Sequence, residues 1–380
     1  MDEQATQSLR KTFKYKLKPT PEQERAMGFV VRRCRELYNA GLEERQEAWR
    51  TCAVRVTFAG QSAQLPDIKA VRPEYRDVHS QVLQDVLTRL DRAFQAFFRR
   101  VKNGEAPGYP RFQGSNRYNS FTYKQYGNGA TLDGSLDNGF LVLSKIGRIA
   151  IRWSRPLEGT PKTVTISHEA DGWYVCISCA DVPLQLLEPT GQETGIDLGL
   201  ESFATLADGT MIHNPRCYRR AERRLKTAQR RVSRRKKGSH RRRKAVTLLA
   251  KAHQKVKRQR QDFQHKTALA FVQQYDTIYH EDLQVGNMLK NHHLAKSIQD
   301  AGWYTFVSIL TFKAVCAGKR VVAVNPAYTS QTCSGCGVVV KKGLSVRWHA
   351  CPACGASLHR DHNAAKNIER LGQSLRGAVA

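Results

Sequence analysis

Residues 12–18 (TFKYKLK) alternate basic with apolar or aromatic side chains, the period-two pattern of a strand with one buried face. Pro19-Thr20-Pro21 ends that run, and Thr20 is suited to cap a helix opening at Pro21. From there to about Val101 the apolar positions recur at helical spacing, most clearly Val82, Val86, Leu90, Phe94 and Phe97. Gly and Pro between Asn103 and Pro110 break the helix. Beyond Phe112 the pattern becomes one of short apolar runs between Gly, Asn and Asp turns. Residues 121–123, 140–143, 149–151 and 173–175 read as strands of a small β domain. The N-terminal strand joins that domain, and the helical stretch is an insertion into it.

A third regime opens near Gly195. GIDLGLESFATLADGTMI predicts three strands, the last two joined at Asp208-Gly209. A long basic helical tract follows, then a helix over 263–275, a strand over 277–280, a helix through Ile309, Phe312 and Val315, and a strand over 320–324. A cysteine-rich insert and a final helix from about His362 complete the chain. The expected fold is multidomain α+β. A β-barrel-like domain (1–20 and 106–188) carries a helical insertion (21–105). An α/β domain (189–330 and 357–380) carries a cysteine-rich insertion (331–356).

Charge changes the picture from architecture to partner. The 380 residues carry a formal net charge of +29, and a chain so charged repels itself unless a polyanion is its normal partner. Nucleic acid is the first candidate; an anionic membrane surface is the rival. No apolar run approaches the length of a membrane span, and no secretory signal opens the sequence, so a cytoplasmic protein is expected. Ten cysteines in a reducing compartment then point to metal ligands or buried thiols rather than disulfides. The charge is concentrated: residues 216–260 hold 21 Lys or Arg against one acid, Glu222. An apolar stripe at Ala245, Leu248, Leu249, Ala252 and Val256 marks ordered helix, and Gly238-Ser239 marks the turn of a hairpin that meets nucleic-acid backbone.

Cys333-x-x-Cys336 and Cys351-x-x-Cys354 are separated by 14 residues. Two such turns supply the tetrahedral thiolate set of Zn²⁺, and four cysteines leave no open position, so a structural ion is expected. His349 is near but unneeded. Cys176-x-x-Cys179 lies in a strand, where residues three apart face opposite sides, and is not a second site. Cys34, Cys52, Cys217 and Cys316 are isolated and expected as buried thiols.

Three acids complete the chemistry. Asp197 lies in Gly195-Ile196-Asp197-Leu198-Gly199, whose small residues let a phosphate approach; Glu281 ends the strand TIYHE; Asp361 opens the last helix. Each alone has a bland explanation. Their order, on a meander strand, a later strand and a terminal helix, is that of RNase H-like nucleases. Such carboxylates hold two Mg²⁺ ions, Mn²⁺ being an alternative, that activate water and stabilise a leaving oxygen.

GIDLGL, EDL, NPAYTSQTCSGCG, HACPACG and HRDHNAAKNI, in this order, resemble the RuvC and zinc motifs of the TnpB family, the RNA-guided nucleases of bacterial insertion sequences, which are similar to compact type V CRISPR effectors. FKYKLKPTPEQ, CRELYNAGL, LTRLDRAFQAFFRR, GYPRF and KIGRIAIRW resemble that family's wedge and recognition segments. The resemblance implies that Asp197, Glu281 and Asp361 are catalytic and that Cys333, Cys336, Cys351 and Cys354 bind zinc. It implies a guide RNA, a double-stranded DNA target beside a short motif the protein reads, and action as a monomer. His359 stands where the resemblance leads us to expect another acid in many relatives. Three further readings stay open: a nuclease-dead RNA-guided regulator, a transposase that joins strands itself, and a plain zinc-ribbon DNA-binding factor.

Overall fold

The computed structural model describes residues 8–377 apart from 116, 136 and 344. The chain divides into two compact units, one ending at Pro183 and the other beginning at Leu184.

The first unit opens with β1 (Ser8–Lys18), whose alternate residues Phe13, Tyr15 and Leu17 are buried. Helix α1 (Pro21–Cys52) begins where a Thr cap is expected: Thr20 Oγ1 accepts from the Gln23 N–H at 3.3 Å, and Gln23 Oε1 accepts from the Thr20 N–H at 3.0 Å. Short helices α2 (Phe58–Ala63) and α3 (Leu65–Val71) precede α4 (Ser80–Lys102). On α4 the side chains of Val82, Leu83, Val86, Leu87 and Leu90 are buried, one stripe at helical spacing. The strands are β2 (Ser120–Tyr123), β3 (Ala130–Asp133), β4 (Phe140–Leu143), β5 (Gly147–Arg152), β6 (Thr160–Glu169) and β7 (Gly172–Pro183). Together with β1 they form one antiparallel, nearly closed sheet in the order β2-β6-β7-β1-β5-β4-β3. Cys179 packs into its core while Cys176 stays partly exposed, as the strand alternation requires. Cys34 is likewise buried, but Cys52, at the exposed end of α1, is not.

The second unit begins with β8 (Glu193–Asp197), β9 (Ser202–Leu206) and β10 (Met211–His213). Two basic helices follow, α5 (Cys217–Ser233) and α6 (His240–Gln274), then β11 (Thr277–Glu281). Helices α7 (Val285–Met288), α8 (Ala295–Ala301) and α9 (Trp303–Cys316) lead to β12 (Arg320–Val324). Cys217 and Cys316, at helix ends, are half-buried rather than buried. The sheet order is β10-β9-β8-β11-β12, antiparallel across the meander and parallel from β8 through β12. A hairpin of β13 (Trp348–Ala350) and β14 (Ser357–His359) sits in the cysteine-rich insert, and α10 (Arg360–Gly377) closes the unit.

The expected helix over 263–275 is not separate: residues 263–274 are the last part of α6, which runs unbroken for 35 residues and is followed by extended Tyr275. The change of composition near Phe263 marks where the helix enters the core. Phe203 meets Phe263 and Phe306 edge to face, both at 4.9 Å, and Ala268, Phe271 and Val272 are buried beside them. The earlier part of α6 pairs with α5, and Ser239 caps it by accepting from the Arg242 N–H at 3.2 Å. Of the expected stripe, Ala245 and Val256 are buried and Leu249 and Ala252 partly so, but Leu248 is exposed.

Candidate active site

Alternation along the strands decides which face each acid takes. Ile196 and Ile278 point into the core under α6 and α9, so their neighbours Gly195, Asp197, Tyr279 and Glu281 face α10. Strands β8 and β11 are parallel and in register at Ile196–His280, so the next positions are Asp197 and Glu281, on strands about 4.8 Å apart. Helix α10 lies on that face at close quarters. A Cβ at Gly195 would fall 2.2 Å from the Ala365 carbonyl oxygen, and one at Gly372 would fall 1.9 Å from the Tyr279 ring. Gly195 therefore serves helix-on-sheet packing rather than phosphate approach. Gly199 does border the site: a Cβ there would lie 3.8 Å from Asp361 Oδ2. Asp361, in the first turn of α10, is 7% exposed.

Electrostatics shows how crowded this corner is. Burial pushes the Asp197 carboxyl well above the usual range, and Glu281 and Asp361 push it further; Arg360 and Arg347 offset part of this. Glu281 is raised by burial as well, against a hydrogen bond from Thr329 and the charge of Arg360. A corner that raises two of its three carboxyls, and offers only oxygen donors, suits hard divalent ions. Among the described residues, the group of three or more candidate ligands whose donor atoms all lie within 4.8 Å of one another is the four cysteines. Acids shared between two ions need not converge on one point.

A cleft of about 630 Å³ is lined by Leu200 and Glu201 after β8, by Arg216 and Arg219 at the start of α5, and by Arg347, whose charge also reaches Asp197. Arg347 pairs with Glu201 at 3.3 Å. The start of α5 is fixed by buried Asp300, which accepts from the Tyr218 N–H at 2.8 Å and pairs with Arg260 at 3.2 Å. His359 accepts from the Asp361 N–H at 3.3 Å through Nδ1, and its ring meets Trp348 edge-on.

Cys333, Cys336, Cys351 and Cys354 bring their sulfurs within 4.8 Å of one another, with Cys333–Cys354 at 3.6 Å and Cys336–Cys351 at 3.5 Å. Tetrahedral Zn–S bonds of about 2.3 Å imply S–S separations of about 3.8 Å, so the set fits zinc. The N–H groups of Cys354 and Ala353 pull the Cys351 thiol down to about 6. The Ala356 N–H favours the Cys354 thiolate too, but the three neighbouring sulfurs outweigh it and push that thiol up to about 12. Four thiolates need a cation between them. His349 is fully buried next to the cluster, with Nδ1 against Lys342.

Several residues here carry no sequence motif of their own. Arg347 contributes a charge from the insert, Thr329 touches Glu281, and Asn363 and Asn367 bind the chain before the first cysteine. The two asparagines do leave a signal, because two amides four apart among Ala364, Ala365 and Ile368 place polar groups on a buried helix face.

Three family models match, described as "Probable transposase" over residues 174–292, "Cas12f1-like, TNB domain" over 303–368 and "Helix-turn-helix domain" over 9–51. The last of these segments is here one strand and one long helix. A Streptomyces pristinaespiralis protein named "Putative RNA-guided DNA endonuclease" is 37% identical, with 96% of this chain and 90% of that protein covered. "Putative RNA-guided DNA endonuclease InsQ" of Escherichia coli is 30% identical over 96% of this chain and 92% of its own length. Among solved structures, a Cas12f1 protein from a complex with guide RNA and target DNA aligns with a TM-score of 0.59 at 14% identity, covering 95% of this chain and 99% of that one. Together the two relatives, which this chain matches almost end to end, and the three family models establish that the chain belongs to the TnpB family of RNA-guided DNA endonucleases.

Proposed function

We propose that this chain is an RNA-guided DNA endonuclease that hydrolyses phosphodiester bonds at Asp197, Glu281 and Asp361. The observation that carries this reading is the placing of Asp197 and Glu281 at adjacent strand ends on the face that α10 covers, where Glu281 and Asp361 both raise the Asp197 carboxyl. When bound, a pair of Mg²⁺ ions, replaceable by Mn²⁺, supplies an activated water and charge for the leaving oxygen. The three carboxylates would hold those ions, and Gly199 keeps the approach to Asp361 free of a side chain. Arg216, Arg219 and Arg347 bind the phosphates of the strand to be cut. Arg360, fastened to the Ser330 hydroxyl at 3.0 Å and the Gly343 carbonyl at 3.1 Å, tempers the negative charge from behind.

On the same reading the cysteines hold a structural Zn²⁺, and residues 331–356 act as a zinc ribbon within a nuclease domain of residues 189–330 and 357–380. Residues 1–20 and 106–188 form the wedge, and residues 21–105 the recognition segment, which together read the motif beside the target. The guide RNA chooses the sequence by base pairing, while the basic α5–α6 hairpin holds nucleic-acid backbone by charge. The protein purified with its own RNA should cut double-stranded DNA matching that RNA in Mg²⁺, and should follow the guide when the guide is changed. Intact matched DNA would count against hydrolysis, and joined DNA ends would turn the site into that of a strand-transferring transposase.

A further inference from the structure

Between β12 and the first cysteine the chain meets Glu281 at Thr329, whose contacts are polar and buried. Thr329 is 4% exposed, with Oγ1 against Glu281 Oε1 and the Pro326 carbonyl at 3.2 Å. A hydroxyl has one proton to give, and a carboxylate takes it in preference to an amide carbonyl. The Thr329 carbonyl is held in turn by Asn367 Nδ2 at 2.8 Å, and the same amide reaches the Thr332 carbonyl at 2.7 Å. Asn363 Nδ2 also donates to the Thr332 carbonyl, at 2.7 Å, while its Oδ1 accepts from the Ser334 N–H at 2.9 Å. Asn363 is fully buried and Asn367 is 5% exposed, so water does not substitute for these bonds. Both asparagines project from α10, the helix that carries Asp361, and Cys333 lies between the two residues that Asn363 grips.

We propose that Thr329 is a positioning residue for Glu281, and that Asn363 and Asn367 fix it by lashing its loop to the helix that bears Asp361. This rests on the reading of Glu281 as an ion-binding carboxylate. The Thr329 hydroxyl holds one oxygen of Glu281, setting the plane of the carboxylate so that the other oxygen is turned to the ion. Outer hydrogen-bond partners of this kind commonly change metal affinity about ten- to a hundredfold. The lashing also makes the cysteine cluster part of the same frame, since Thr332 and Ser334 flank its first ligand.

The test compares Thr329→Val, which keeps the shape and removes the donor, with Thr329→Ser, which keeps the donor. Both are made in the full chain carrying its copurified RNA. The Mg²⁺ concentration giving half-maximal cutting of matched DNA should rise about ten- to a hundredfold in Thr329→Val. It should return towards the parent value in Thr329→Ser, while zinc content and target-DNA binding stay unchanged in both. The same displacement should appear without any cutting, in the Mg²⁺ dependence of the melting temperature. That second readout separates the two readings: parent protein that fails to cut but is stabilised by Mg²⁺ overturns the endonuclease reading and leaves the Thr329 comparison intact. A Thr329→Val protein with the parent Mg²⁺ dependence would overturn the proposal. So would loss of zinc or of the folded transition in that variant, because Thr329 would then be a structural residue, and so would parent protein whose melting ignores Mg²⁺.

Discussion

Asp197 occupies a buried position where two neighbouring acids make a negative charge hard to keep, and the consequences can be read in pH. An acid whose pKa is raised on folding holds its proton more tightly in the folded state. Its contribution is favourable below the unfolded value and is lost as pH rises through the folded one. Asp197 and Glu281 are both raised, by burial first. The ion-free protein should therefore lose stability as pH climbs above the ordinary carboxylate range, and the melting-temperature gain on adding Mg²⁺ should grow over the same interval. Thermal melts at pH 5 and pH 8, with and without Mg²⁺, check this; Asp197→Asn should raise the ion-free melting point at pH 8 and shrink the Mg²⁺ effect. Gly195 gives a separate expectation. A methyl group there would strike the backbone of α10, with the Ala365 oxygen at 2.2 Å and the Glu369 nitrogen at 2.5 Å. Gly195→Ala should cost about 1–3 kcal/mol in chemical denaturation, and it should slow cutting by moving Asp361 away from Asp197.

At the scale of elements, the cysteine-rich insert and α10 are tied together, since Asn363 and Asn367 of α10 bond the chain on both sides of Cys333. Cys351→Ser should release zinc, lower the melting temperature and reduce cutting more than tenfold, even though no cysteine faces the acids. Zinc content measured beside the cleavage rate checks this, and undiminished cutting by a zinc-free protein would contradict it. These elements are unevenly legible in the sequence. The strand ends bearing Asp197 and Glu281 stand out, because apolar runs with a terminal acid are short and distinctive. Strands β3 and β6 do not: ATLD has little apolar weight, and Pro161 opens β6 beside a register shift against β7. The continuity of α6 is hidden by its change from a basic to an apolar face on entering the core. At Gly195 a sequence tells that a close approach is permitted, not that a helix rather than a phosphate makes it. Thr329 leaves no local trace at all, since its role depends on a strand and a helix that meet it only in the folded unit.

For the whole molecule charge dominates. A net +29, with most of it on the α5–α6 hairpin, makes binding to nucleic acid a matter of displaced counterions. If six to ten phosphates are engaged, affinity should fall about 10³–10⁵-fold between roughly 50 and 200 mM salt. A titration series in salt checks this, and affinity indifferent to salt would contradict a backbone-contacting hairpin. No helix among the described residues is long and apolar enough to cross a membrane. The division of labour proposed here is between a guide that selects and three acids that cut. Guide-directed cleavage of matched DNA by the RNA-loaded protein and by its Asp197→Ala variant tests that division. The parent should cut in Mg²⁺, and the variant should bind the same DNA with unchanged affinity and leave it whole; a variant that cuts at the parent rate would show that the acids are not the cutting site.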